Sequence, residues 1–216
     1  MSAIQAPIPE KTIERLSEYR RTLISCHRRG ITHVFSHILA GMHGITAVQV
    51  RRDLMLIGFS SDTKKGYDVK VLIDFIDSIL YSESTMKVAV IGMGHLGQAI
   101  TKYFNGKELN IRITAAFDVD PTKIGQMIMD IPCYDVKDFE EVVSNNDISI
   151  VIISLPSSLA AQYTVPIINA GIKGVLNFTS APLNFPQGIV VENYDMTTIL
   201  EKVAYFVKAA EENNNQ

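Results

Sequence analysis

Lys87-Val-Ala-Val-Ile-Gly-Met-Gly-His-Leu-Gly-Gln-Ala99 decides the fold: an apolar run leads into Gly92, Gly94 and Gly97, and a second apolar run ends at Asp118. A strand, a Gly-x-Gly-x-x-Gly turn and a helix form the dinucleotide-binding pattern. Gly92 is expected to make the tight turn, Gly94 to let backbone approach a pyrophosphate, and Gly97 to let the helix pack against the sheet. Free N–H groups at the helix N-terminus would hold the phosphates. The candidate cofactor residues on this side are Gly92, Met93, Gly94, His95, Leu96 and Gly97.

Asp118 is placed to accept hydrogen bonds from the adenine ribose, and its charge would repel a 2′-phosphate. No Arg follows it, so the expected cofactor is NAD rather than NADP. Asp120 reads equally well as a helix cap before Pro121. Beyond Asp118 the chain alternates as an open α/β sheet requires. Strands are expected at 87–91, 111–117, 131–134, 148–155, 174–178 and 188–192, and helices at 95–104, 121–124, 136–143, 159–169 and 197–210. The turns Leu155-Pro-Ser-Ser158 and Asn177-Phe-Thr-Ser-Ala-Pro182 follow strands, where open sheets hold ligands. They are candidates for the nicotinamide side, Pro156 among them.

The fingerprint starts about eighty-five residues into the chain, so another unit precedes it. Pro9 opens a helical pattern running to about Arg29, with Ile13, Leu16, Tyr19, Leu23 and Ile24 on its inner stripe. A short helix from Ser36 to His43 breaks at Gly44, and Thr46 can cap a third, over residues 46–55, on which Val50 and Leu54 share a face. Two short helices joined by a Gly turn spell a helix-turn-helix, with Gln49, Arg51 and Arg52 largely off the inner face. The polar stretch within 59–69 suits a two-stranded basic hairpin, a wing whose Lys64 and Lys65 would reach a groove or phosphate. An apolar-periodic helix over 71–81 and a polar linker close the unit.

Charge is divided between the halves. Lys11 to Arg52 holds eight basic residues against Glu14 and Glu18, a net of +6, although Arg15, Arg20, Arg28 and Arg29 individually read as a solvated face. Past residue 85 the net is −5, within an overall −3. Cys26 and Cys133 lie far apart, which excludes a disulfide scaffold and a Cys-built zinc site. His33, His37 and His43 lack the carboxylate or thiolate neighbours of a metal site. Without a leader-like start or an apolar run of membrane-spanning length, the expectation is a soluble cytoplasmic protein.

These motifs, together with Gln49-Val-Arg-Arg-Asp-Leu54, Gly66-Tyr-Asp-Val69, the 116–125 run Ala-Phe-Asp-Val-Asp-Pro-Thr-Lys-Ile-Gly, the 170–178 run and Val191-Glu-Asn-Tyr-Asp195, resemble the Rex family of bacterial redox-sensing transcriptional repressors. The resemblance covers about residues 9 to 206. It implies a winged helix over 1–84, a Rossmann NAD(H) domain over 85–196 and a dimerisation helix with a polar tail over 197–216, exchanged between subunits. It also implies a homodimer on a palindromic double-stranded DNA operator, held when free or NAD+-bound and released when NADH binds. Arg51 and Arg52 would contact DNA with Thr46, Gln49, Lys64 and Lys65; Asp118 would bind the ribose, and Tyr103 would serve both cofactor and switch. Arg21 would pair with Asp195 of the other copy in one state. The apolar stripe Ile199, Val203, Phe206 and Val207 suits an exchanged helix and equally one docked within its own subunit.

The chain departs from the family at Thr63, where a wing Arg is usual, at Met196, often aromatic, and in the Thr179-Ser-Ala-Pro182 loop. Operator sequence and the strength of the NADH response are what these positions bear on. No His–Asp or Tyr-x-x-x-Lys arrangement follows the fingerprint, so an enzyme is not expected. A small NAD-dependent oxidoreductase with an accessory N-terminal domain is the second reading. A nucleotide-binding adaptor for proteins is the third.

Overall fold

A computed structural model describes residues 8–60, 65–81, 83–105, 107 and 109–214. It divides between Ser84 and Thr85 into two compact units. In the first, α1 (Glu10–Arg28) opens behind Pro9, whose carbonyl accepts from Thr12 N at 2.8 Å. Leu16, Tyr19, Leu23 and Cys26 recur at helical spacing and are buried, giving the core its central layer. α2 (Ser36–His43) ends at Gly44, whose φ of +63° is the left-handed stop that glycine adopts without cost. α3 (Ala47–Leu56) follows at once, its N-terminus capped by Thr46 Oγ1 accepting from Gln49 N at 3.1 Å.

The basic hairpin is built differently from the sequence expectation. β1 (His33–Val34), between α1 and α2, pairs antiparallel with β2 (Tyr67–Asp68). Phe59 makes no strand; its N–H closes α3 by donating to Leu54 O at 2.9 Å, and its ring is buried against Tyr67 and Phe75. A large apolar side chain gains more from the core than from an exposed hairpin. The proposed tip at Lys64, and Thr63 beside it, lie outside the described residues. α4 (Val69–Leu80) starts two residues earlier than its periodicity suggests because Asp68 caps it, accepting from Val71 N at 2.9 Å.

The second unit carries a seven-stranded sheet. Its strands are β3 (Met86–Ile91), β4 (Ile111–Asp118), β5 (Met127–Ile128), β6 (Ile131–Asp135), β7 (Ile148–Ile153), β8 (Gly174–Asn177) and β9 (Val190–Asn193). The order is β5-β6-β4-β3-β7-β8-β9, all parallel except the β5–β6 hairpin. Without β5 this is the 3-2-1-4-5-6 order of a doubly wound dinucleotide fold, with its switch point between β3 and β7. The helices are α5 (His95–Phe104), α6 (Phe139–Asn145), α7 (Ser157–Ala160), α8 (Thr164–Asn169) and α9 (Met196–Asn214).

Two expected helices are corrected. Residues 121–125 form only a turn, because Gly125, at φ +78°, donates to Cys133 O at 2.8 Å and sends the chain into β5. The expected 159–169 helix is split into α7, a 3-10 turn at Ala161–Tyr163 and α8; Pro166 has no N–H to bond back to residue 162. The last helix is longer than its apolar stripe, running from Met196 to Asn214.

Candidate functional site

At the switch point, Gly92 leaves β3 with φ +94°, and a Cβ there would sit 2.8 Å from both Ser154 O and Leu155 Cδ2. A Cβ on Gly97 would stand 1.9 Å from Gly92 O, so the first turn of α5 packs directly on the glycine loop. Beside Gly94 a Cβ would meet nothing within 4 Å. Two glycines are thus required by protein packing, and the third borders open space at the helix N-terminus, where a pyrophosphate fits. Ser154, which no motif singles out, pins the loop by donating from Oγ to Gly92 O at 2.8 Å.

The other loop residues divide by exposure. His95 is exposed at the start of α5, and Leu96 is half-buried against the sheet. Met93 is fully buried and its N–H donates to Asp118 Oδ2 at 2.9 Å. Its side chain therefore anchors the loop from below, which leaves backbone as its route to a ligand.

Asp118 ends β4 and is 8% exposed. Besides Met93 N, it accepts from Asp120 N at 3.0 Å and from Lys123 Nζ at 2.9 Å. Burial opposes its charge, but Lys123 and the two backbone donors outweigh that, and the carboxyl lies below the usual carboxylate range. A carboxylate has roughly four acceptor positions, so about one remains for a ribose hydroxyl. Asp120 caps the following turn, accepting from Thr122 N at 2.9 Å. Lys123 was not anticipated; it brings a positive charge beside the ribose corner that no residue directly after Asp118 supplies.

The two strand-end turns expected on the nicotinamide side are joined: Ser157 Oγ lies 2.8 Å from Ser180 Oγ. Pro156 is exposed at the head of α7. Between Thr179–Asn184 and the residues Asn193 and Asp195 is a cavity of about 380 Å³. Tyr103 is not part of this assembly. It is exposed eight residues along α5 from His95, roughly 12 Å from the phosphate-facing end. The Lys107 ammonium stands 4.2 Å over its ring.

In the first unit, α2 and α3 form the helix-turn-helix. Arg51 and Arg52 are exposed on α3, with Arg51 Nη1 donating to Ser36 Oγ at 3.0 Å. Lys65 is exposed as well. Gln49 faces inward in part, its amide donating to Asp53 Oδ1 at 2.9 Å. Asp53 is buried and also accepts from Arg15 Nε and Nη2, both at 2.7 Å, and from Tyr19 Oη at 2.8 Å. This cluster fastens α3 to α1. Arg20 is likewise buried and paired with Asp77 on α4. Two of the charges read as a solvated face are therefore internal links.

The other two residues expected to act as a switch lie one in each unit. Arg21 is exposed and donates to Ser17 Oγ on its own helix at 3.1 Å. Asp195 accepts from Thr197 N at 3.0 Å and Thr198 Oγ1 at 2.7 Å, which caps the start of α9 and, with the Thr198 hydroxyl as the main cause, lowers its pKa. Among the described residues there is no cluster of three metal-ligating side chains, and no helix is long and apolar enough to cross a membrane.

Comparison with known proteins matches both units. A family model described as "CoA binding domain" matches residues 83–181, and one described as "Putative DNA-binding protein N-terminus" matches residues 7–54. The redox-sensing transcriptional repressor Rex of Leuconostoc citreum is 36% identical over 94% of this chain and 94% of its own. That of Carboxydothermus hydrogenoformans is 38% identical over 93% and 97%. The Rex-family repressor RSP, solved with β-NAD+ and operator DNA, is 29% identical with a TM-score of 0.88 over 97% of each chain. With β-NADH it is 30% identical, with a TM-score of 0.82 over 99% of each.

Proposed function

The chain belongs to the Rex family of redox-sensing transcriptional repressors, and we infer that it is a DNA-binding repressor that holds its operator when free or NAD+-bound and releases it when NADH binds. It is a regulator, not an enzyme. One observation carries the reading: a relative solved with both NAD+ and operator DNA superimposes over 97% of this chain, across the helix-turn-helix and the dinucleotide fold alike.

The geometry supports the following residue roles. Gly94 and the free N–H groups opening α5 are the pyrophosphate site, and Asp118, flanked by Lys123, meets the ribose. Pro156 and the joined turns at Ser157 and Ser180 face the nicotinamide end. Arg51 and Arg52 enter the major groove, Thr46 and Lys65 approach the backbone, and Gln49 orients α3 rather than reading a base. Such a repressor works in the cytoplasm.

The working unit is a homodimer with α9 exchanged. Every described side chain of α9 except Ala209 is exposed, including Ile199, Val203 and Phe206. The sheet of the same unit leaves an apolar groove of about 420 Å³ between residues such as Val88, Phe104, Ile113 and Ile152. A second copy's α9 would cover one and be covered by the other. Tyr103, Arg21 and Asp195 would act across the dimer by exchanging the local contacts each makes within one chain, to Lys107, Ser17 and Thr197, for contacts with the second copy.

The reading is tested by titrating a palindromic operator at fixed salt with NADH and then NAD+. NADH is expected to weaken binding by about tenfold or more while NAD+ leaves it unchanged, the scale of ordinary allosteric coupling. Arg51→Ala and Arg52→Ala should abolish specific DNA binding and spare NADH binding. Equal effects of the two cofactors, or equal loss of both ligands in the Arg variants, would contradict it.

A further inference from the structure

The last residue of β8 is a buried amide whose bonds reach both walls of the 380 Å³ cavity. Asn177 is 1% exposed. Its Nδ2 donates to Ala181 O at 3.1 Å and to Asn193 Oδ1 at 2.9 Å. Its Oδ1 accepts from Thr179 N at 3.0 Å and from Thr179 Oγ1 at 2.8 Å. All four bonding positions of the carboxamide are filled. Its backbone adds another link, with Tyr194 N donating to Asn177 O at 2.7 Å.

The partners divide between the two sides of the cavity. Thr179 and Ala181 belong to the turn that Ser157 and Ser180 join to the end of β7, while Asn193 leads through Tyr194 to Asp195, the cap of α9. Phe178 stacks on Tyr194 with 5.3 Å between ring centres and 19° between planes, so the two strand ends are also held face to face. Hydrogen bonds and the short run of chain from Asn193 to Asp195 therefore link the strand-end turns to the root of the long exposed helix.

We propose that Asn177 is the positioning residue that makes the two walls of this cavity move as one, so that occupancy of the nicotinamide end is felt at the start of α9. The assignment rests on the NADH-responsive reading above. The residue type is dictated by the site. Asp at 177 would keep the size but lose both donors, placing an oxygen against Ala181 O and Asn193 Oδ1. Coupling through such a network requires its members to share two discrete arrangements, and a buried polar network satisfied at every position rigidifies the segments it joins.

The test uses full-length protein with Asn177→Asp, Asn177→Ala and, separately, Asn193→Ala, whose parent side chain is exposed. Operator affinity is measured with and without NADH, and NADH affinity with and without operator. In the Asn177 variants operator affinity without NADH should stay at the wild-type value, NADH should still bind, and the NADH-induced weakening should fall by about tenfold. By reciprocity, NADH should then bind free and DNA-bound protein almost equally. Asn193→Ala, losing one bond of the four, should show a smaller fall in the same direction. An unchanged coupling ratio in folded Asn177 variants overturns the proposal and leaves Asn177 a structural residue. If those variants do not fold, Asn193→Ala decides alone, and full coupling there overturns it. Wild-type protein insensitive to NADH would overturn the functional reading as well, whereas loss confined to the variants separates the two.

Discussion

Asp53 holds a carboxylate in the interior of the helix-turn-helix unit, and what surrounds it decides whether that stabilises or costs. Burial pushes its pKa up, but the bonds from Arg15, Tyr19 and Gln49 together outweigh this and the group lies below the ordinary carboxylate range. A depressed folded pKa stabilises above the unfolded value of about 3.9, and that contribution is lost as the pH falls through the lower folded value. Asp53→Asn should therefore cost about 3 kcal/mol at pH 7, the scale of breaking a buried ion pair, and the gap from wild type should narrow below pH of about 4. Urea denaturation at pH 7 and at successive steps below pH of about 4 checks this; a gap that stays constant down to the acid limit of folding would mean that the charge is not what matters. This cluster was only partly legible in the sequence. The Gln49–Asp53 contact is an i to i+4 helical pair that spacing alone permits. The Arg15 contact spans 38 residues and the Arg20–Asp77 contact 57, and no local pattern announces a pairing between helices so far apart in the chain. The turn that begins at Asn177 was legible, but its bond to Asn193 was hidden for the same reason, the partner belonging to the next strand.

At the scale of elements, the strand–turn–helix of β3 and α5 was the most legible part of the chain, because each glycine answers to a separate constraint. Gly97 is fixed by protein, whereas Gly94 borders open space where the proposed pyrophosphate would approach, so the same substitution should fail in different ways. Gly97→Ala places a methyl 1.9 Å from Gly92 O, and since the obstacle is backbone the unit should not fold stably. Gly94→Ala meets no protein atom within 4 Å; its stability should stay within about 0.5 kcal/mol of wild type while NADH affinity falls by about tenfold or more. Thermal melting and NADH fluorescence titration separate the two. Gly94→Ala with normal NADH affinity would remove the pyrophosphate from this loop. The illegible elements were those where tertiary bonds override propensity. β5 turns into β6 through Met129 and Asp130, both at positive φ, without the Asn-Gly that signals such a hairpin. β2 finds its partner before α2 rather than beside it in sequence.

At the scale of the whole molecule, the exposed helix α9 and the apolar groove on the sheet are the two surfaces that the proposed exchange between copies would close together. Burying the exposed half or so of Ile199, Leu200, Val203, Phe206 and Val207 is worth on the order of 5 kcal/mol, at roughly 2 kcal/mol for a side chain taken from full exposure to full burial, too much to leave in water. If each copy offers one helix and one groove, reciprocal exchange about a two-fold axis satisfies both and leaves nothing open for further copies. The same axis would set two α3 helices about one DNA turn apart, roughly 34 to 36 Å, which a palindromic operator requires. Ile199→Asp with Val203→Asp should therefore produce a folded monomer by sedimentation, because both parent side chains are exposed within the chain. A monomer reaches one half-site, so the slope of log affinity against log salt should drop to about half that of wild type as the phosphate contacts halve. NADH binding at Gly94 and Asp118 should survive, since those residues lie within one chain, but its effect on DNA should vanish with the paired geometry. A double variant that stays dimeric and keeps the full salt slope would place the dimer seam elsewhere and leave α9 and the groove to a different partner.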